Sequence, residues 1–134
     1  MYRRDLLTAE IQKLAQALAR IMGLKEQGKL EEAELGIDEM LENDFGILFS
    51  DLLDASPADF SLFLSDKDFP SEKLDMFSQV LYLKFDPAIA DGQQTAVAQK
   101  LQLIYQLLET KYHVVNMINI GRQKSIQQYI NLNS

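Results

Sequence analysis

The chain has 134 residues, 47% of them hydrophobic, and contains no cysteine. This length is typical of one hydrophobic core, so we expect a single domain over residues 1–134. The lack of cysteine excludes disulfide frameworks and thiolate metal sites, and it fits a cytoplasmic setting. No apolar stretch reaches the roughly 18–20 residues that cross a bilayer, and the N-terminal residues do not form a secretory signal, so we expect no membrane association.

The net charge of −7 is unevenly distributed along the chain. Residues 26–44 contain eight acidic residues and one lysine, whereas acids and bases balance in the rest of the chain. No basic stripe with interleaved aromatic residues is present, which argues against nucleic-acid binding. The segments 1–25 and 92–134 each carry +3, so self-association through complementary charged patches is one possible use of this distribution.

Apolar residues in the first third of the chain recur at intervals of three and four, which is typical of amphipathic helices. This spacing predicts a first helix over residues 3–26 and a second helix that begins at Leu30, after the break at residues 27–29. Acidic side chains lie opposite the apolar stripe of the second helix. They predict a solvated face, which comprises Glu31, Glu34, Asp38 and Glu42.

The middle of the chain predicts three shorter helical segments. Residues 45–53 are strongly apolar, and Ser56-Pro57-Ala58-Asp59 combines an N-cap with a proline at the first helical position. The helix that begins there should bury Phe60, Phe63 and Leu64, and a polar link over residues 67–70 should follow it. The next helix is apolar on nearly every face from Leu74 to Phe85, which predicts that it lies at the centre of the core.

Two long segments complete the chain. Asp91 and Gln94 resemble a capping box at the start of a helix over residues 92–111. The last segment, residues 114–131, has apolar residues at helical intervals. Its first half, Val114 to Ile120, also has the composition of a strand, but the chain offers no partner strand, so we predict a helix.

The sequence contains no recognisable catalytic or metal-binding motif. His113 is the only histidine, and a lone histidine does not build a conventional zinc site. The serines and glycines form no nucleophile elbow and no phosphate-binding loop. We therefore expect a protein that is not an enzyme, with no cofactor and no metal, in which the acidic run is a solvated face.

The C-terminal segment carries a row of amides that is the best candidate for partner binding. Asn116, Asn119, Gln123 and Gln127 recur at intervals of three, four and four, so they should share one helix face. Amides both donate to and accept from a peptide backbone, and the neighbouring Arg122 can pair with a carboxylate. The predicted partner-binding residues are Asn116, Asn119, Arg122 and Gln123, with an uncharged, merely solvated face as the alternative.

Residues 28–41 resemble the turn and second helix of a tetratricopeptide repeat, with Gly28 at the turn, Leu30 two positions on and Ala33 at the expected helix contact. The wider layout resembles a group of small uncharacterised bacterial proteins with similar helices. Their opening is of the Arg3-Arg4-Asp5-Leu6-Leu7 kind, and their end is like Arg122 to Ile126. The resemblance implies helical hairpins. No second copy recurs at about 34 residues, so both a concave groove and a compact irregular bundle stay open.

These observations predict an all-α, irregular bundle of six to seven helices that includes hairpins of the tetratricopeptide type. The function they favour is a protein-protein interaction module that binds another protein or itself. A structural homo-oligomer is one alternative. A helical domain that binds a small ligand or a metal in a core cavity is another.

Overall fold

The computed structural model describes the backbone of residues 2–133 and the side chains of residues 4–133. The described residues form helices and loops without strands, which confirms the predicted all-α class. The helices are α1 (Tyr2–Glu26), α2 (Leu30–Asp44), α3 (Phe49–Asp54), α4 (Pro57–Lys67), α5 (Ser71–Tyr82), α6 (Gly92–Tyr112) and α7 (Met117–Asn133).

The helices assemble around α5. The α1–α2 hairpin packs against one side of α5, and α6 packs against another. Helices α3 and α4 also contact α6, whereas α7 packs chiefly on α6. Six of the twelve residues of α5 are buried, which confirms that this helix lies at the centre of the core.

Four phenylalanines join distant parts of the chain at the centre of the bundle. Phe77 of α5 stacks on Phe45 with ring centroids 4.8 Å apart, and it meets Phe69 edge-on at 5.9 Å. Phe60 of α4 lies 6.2 Å from the same ring. Such offset and edge-to-face pairs add to the free energy gained by burying the rings. The cluster therefore fixes α4 and the end of α2 on α5.

The capping residues predicted at the starts of α4 and α6 accept the first backbone hydrogen bonds of these helices. The Ser56 hydroxyl accepts a hydrogen bond from the backbone N–H of Asp59 at 3.1 Å, and Pro57 occupies the first helical position. At the start of α6, the Asp91 carboxylate accepts from the Gln94 N–H at 2.8 Å. The Gln94 amide does not complete a capping box, because it bonds instead to the backbone of Lys84 and Asp86.

Three sequence expectations about apolar residues are wrong in detail. Phe69, in the segment expected to be a polar link, is buried in the phenylalanine cluster. Phe85 lies beyond the end of α5 yet is buried, because its ring meets Tyr129 of α7 edge-on at 5.3 Å. Helix α7 begins at Met117 rather than near residue 114, and Val115 and Ile118, two of the apolar residues at helical intervals in this segment, are exposed.

The acidic face of α2 is only partly solvated. The Lys84 ammonium lies 2.5 Å from Glu34 and 2.8 Å from Asp38, and it also lies 4.4 Å from the centre of the Phe49 ring. The carboxylates of Glu31 and Glu42 face solvent as predicted. Two of the four predicted acids therefore hold the segment after α5 against α2.

Within residues 2–133, no helix is long and apolar enough to cross a membrane.

Candidate protein-binding groove

Helices α6 and α7 leave an open groove of about 370 Å³ between them. Its walls carry mainly long polar side chains. They are Gln102, Tyr105, Gln106 and Glu109 of α6, and Ile120, Gln123, Lys124, Ile126 and Gln127 of α7. We call this feature the α6–α7 groove.

Four glutamines give the groove its hydrogen-bonding character. The Gln102 amide donates to the Gln127 carbonyl at 2.8 Å, and the Gln127 amide donates to Asn131 at 2.9 Å. The side-chain amides of Gln106 and Gln123 make no hydrogen bond to any described residue. Two amides are thus held in place by contacts within the chain, and two are available to a ligand.

Four apolar side chains are exposed in the loop before α7 and in its first turn, namely Val115, Met117, Ile118 and Ile120. Ile120 lines the groove, and Val115 and Ile120 line a small cleft that shares Gln123 with it. Met117 is 84% exposed. Isolated exposed apolar residues are ordinary, but four within six residues are a feature of interaction sites. We call these four residues the α7 apolar patch.

The structure places only one of the four predicted partner-binding residues in the groove, namely Gln123. The Asn116 side chain accepts a hydrogen bond from the Asn119 N–H at 2.8 Å and thereby caps the start of α7. Asn119 is only 5% exposed and donates to the Asp75 carboxylate of α5 at 2.9 Å. The Arg122 guanidinium lies over the Tyr82 ring, 4.6 Å from its centre. Asn116, Asn119 and Arg122 therefore position α7, and whether they also bind a partner stays a prediction.

Tyr105 and Arg122 belong to a polar cluster that joins α5, α6 and α7, together with Asp75, Ser78 and Asn119. Burial raises the pKa of Tyr105 to about 12, against a smaller lowering by the nearby Arg122 guanidinium and Ser78 hydroxyl. The Tyr105 hydroxyl and one Arg122 nitrogen, Nη1, are buried without a hydrogen-bond partner of good geometry among the described residues. We call this group the α5–α7 polar cluster.

The remaining candidates for chemistry are dispersed. His113 is exposed and ends α6 in the left-handed backbone conformation, with φ of 56°. This position is one that histidine tolerates better than most residues. In the described part of the chain, no group of three or more histidine or acidic side chains is arranged to hold a metal ion.

Comparisons with protein-family models, with curated proteins and with solved structures gave no significant match to the chain.

The first prediction separates the amides that position α7 from those that line the groove. Asn119→Ala should lower the free energy of unfolding by about 1–3 kcal/mol, because it removes a buried hydrogen bond to a carboxylate. Gln123→Ala should change it by less than about 0.5 kcal/mol, because the Gln123 amide has no partner to lose. Urea denaturation of both variants measures the difference, and equal effects would contradict these placements.

The second prediction concerns Tyr105. Because its pKa is about 12 in the folded protein, against an ordinary value near 10, the unfolded chain loses this proton first as the pH rises. The contribution of Tyr105 to the free energy of unfolding is therefore complete below about pH 10 and declines up to about pH 12. Roughly 1 kcal/mol of it is lost between pH 9 and pH 11.

Tyr105→Phe abolishes this contribution to the pH dependence. At pH 7 the variant should be as stable as the wild type or slightly more stable, because the hydroxyl has no good partner. Urea unfolding measures the free energy of unfolding of both proteins at pH 9 and at pH 11. From the lower to the higher pH, that of the variant should rise by about 1 kcal/mol relative to that of the wild type. A stability difference that does not change with pH would show that the hydroxyl is not buried as described.

Proposed function

We propose that the protein is a non-enzymatic helical interaction module that binds an extended segment of a partner protein in the α6–α7 groove. One observation carries this proposal: the groove combines the unpaired amides of Gln106 and Gln123 with Ile120 and, in the adjoining cleft, Val115, two exposed residues of the α7 apolar patch. The amides would bind the partner's backbone, and the patch would hold an apolar side chain.

The spacing of the glutamines fits an extended peptide. Gln102 and Gln106 are four residues apart on α6, as are Gln123 and Gln127 on α7. Four residues of α-helix rise about 6 Å, and two residues of an extended chain advance about 6.6 Å. Gln102 keeps an unused carbonyl oxygen and Gln127 an unused N–H despite their bonds within the chain, so the two amides of one helix are spaced to meet alternate peptide units of the same strand. Backbone hydrogen bonds would supply affinity, and side-chain pockets would supply specificity, as in other modes of peptide recognition.

The charge around the groove favours a partner segment that contains acidic residues. Helix α7 contains Arg122 and Lys124 and no acidic residue. Lys124 is exposed on the groove wall, whereas Glu109 is the only acid among the described residues that line the groove. A partner carboxylate near Lys124 would gain a modest, salt-sensitive attraction.

The tetratricopeptide resemblance is compatible with this proposal. Ala33 is fully buried and Gly28 adopts φ of 77° at the turn, as such a hairpin requires. We propose that the α1–α2 hairpin serves as scaffold, since the groove belongs to α6 and α7.

Self-association is a second candidate, and one observation favours it. Helix α2 has seven acidic residues and no base, whereas α7 has two bases and no acid, so the α2 face of one copy is complementary to α7 of another. In this case the occupant of the groove region would be a second copy of the chain.

Site-specific photocross-linking in cells tests the main proposal. A photoreactive amino acid at Gln106, in the groove, should cross-link to a discrete partner. The same group at Leu62, an exposed position on α4, should not. Cross-links between two copies would support self-association, and identical products from both positions would contradict the groove assignment.

Matched variants show whether a cross-linked partner binds at the α7 apolar patch. Met117→Lys should weaken binding by about tenfold, because it places a charge where an apolar contact is expected. Leu132→Lys is the control, since Leu132 is also 84% exposed and lies on the same helix about 22 Å away. Equal loss of binding in both variants would contradict the proposal. Circular dichroism should show the same helix content in both.

A further inference from the structure

A second cavity, of about 540 Å³, is separate from the α6–α7 groove. It lies between the α3–α4 connection and the first turns of α6, beside Asn133 near the end of α7. Small and apolar residues form much of its wall, including Leu53, Ala55, Pro57 and Ala96. It is wide open to solvent, and its volume is comparable to that of small-molecule sites, about 300–1,000 Å³.

Lys100 of α6 lines this cavity and is an unusual residue to find there. Lys100 is only 2% exposed, and its ammonium forms no hydrogen bond and no ion pair with any described residue. Burial lowers the pKa of Lys100, and no neighbouring charge offsets this effect. The side-chain stem is buried while the ammonium, which is not among the fully buried unpaired groups, keeps contact with solvent, as a lysine without a charged partner requires.

The start of α6 adds backbone hydrogen-bond donors to the same cavity. Gly92 begins this helix of 21 residues, and the space around its Cα is open. The N–H groups of Gly92 and Gln93 have no acceptor among the described residues, whereas the Thr95 N–H bonds to the Asp91 carbonyl; free N–H groups at a helix start attract anions. Asp91 is the only acid among the described residues that line the cavity, and its carboxylate already accepts from the Gln94 N–H at 2.8 Å.

We propose that this cavity binds a small ligand that carries an oxyanion, either a carboxylate or a phosphate. The Lys100 ammonium supplies the counter-charge, and the free N–H group of Gly92 at the start of α6 supplies a hydrogen bond. The remainder of the ligand contacts the small apolar residues of the wall. This site is independent of partner binding in the α6–α7 groove.

NMR titration of the ¹⁵N-labelled protein tests the proposal with two probes, sodium acetate and sodium phosphate, each against sodium chloride at equal ionic strength. Saturable shifts of the Gly92 and Thr95 amides with either probe support the site, and the probe that binds more tightly identifies the class of oxyanion. Shifts that do not saturate with either probe, or that match those in chloride, overturn it.

Two lysine variants test whether Lys100 is responsible for probe binding. Lys100→Met should weaken probe binding by about tenfold or more, because it removes a charge-assisted hydrogen bond. Lys111→Met is the matched control on the same helix; its ammonium is exposed and paired with Asp68 at 2.8 Å, so its loss should leave probe binding unchanged. Wild-type affinity in Lys100→Met would overturn the proposal.

A measurement on the wild-type chain covers the case in which Lys100→Met does not fold. The rates at which an amine-acylating reagent modifies Lys100 and Lys111 are compared by mass spectrometry, with and without the probe. The bound probe should slow modification of Lys100 several-fold and leave the rate at Lys111 unchanged. Equal rates at Lys100 with and without a saturating probe would overturn the proposal.

Discussion

The burial of α5 on several sides is the constraint on which the rest of the structure depends. Its apolar residues cannot all face one neighbour, so the helix requires the α1–α2 hairpin on one side and α6 on another. Phe77 lies where these contacts meet, in contact with rings from three other segments. Since packing in protein cores is dense, this cluster leaves little freedom in how the surrounding helices are placed.

Helix α7 is attached by a different kind of contact. Ile126 and Tyr129 bury its second half, but its first half is held largely by polar groups, namely Asn119 with Asp75 and Arg122 with Tyr82. Polar contacts of this kind fix orientation while adding less net free energy than apolar burial does. The arrangement leaves the α7 apolar patch and the glutamines of the groove uncovered, which is why partner binding is the function we propose.

Signals that act within a few residues could be predicted from the sequence, and those that depend on distant segments could not. The start of α4 follows from Ser56 and Pro57 alone, and the central position of α5 follows from its composition. In contrast, the inward orientation of Asn119 depends on Asp75, 44 residues earlier, and the amide spacing in α7 gives no sign of it. The groove also requires Gln102 and Gln106 of α6, which only the packing of α6 against α7 brings opposite Gln123.

Residue-resolved native-state hydrogen exchange tests most directly the claim that α5 is the fixed centre and that α7 is the less tightly held surface helix. Amides of Leu74 to Leu81 should exchange only through global unfolding, with opening free energies equal to that from urea denaturation. Amides in the first half of α7 should exchange through a smaller opening that requires less free energy. Equal protection of α7 and α5, or faster exchange in α5, would contradict this account.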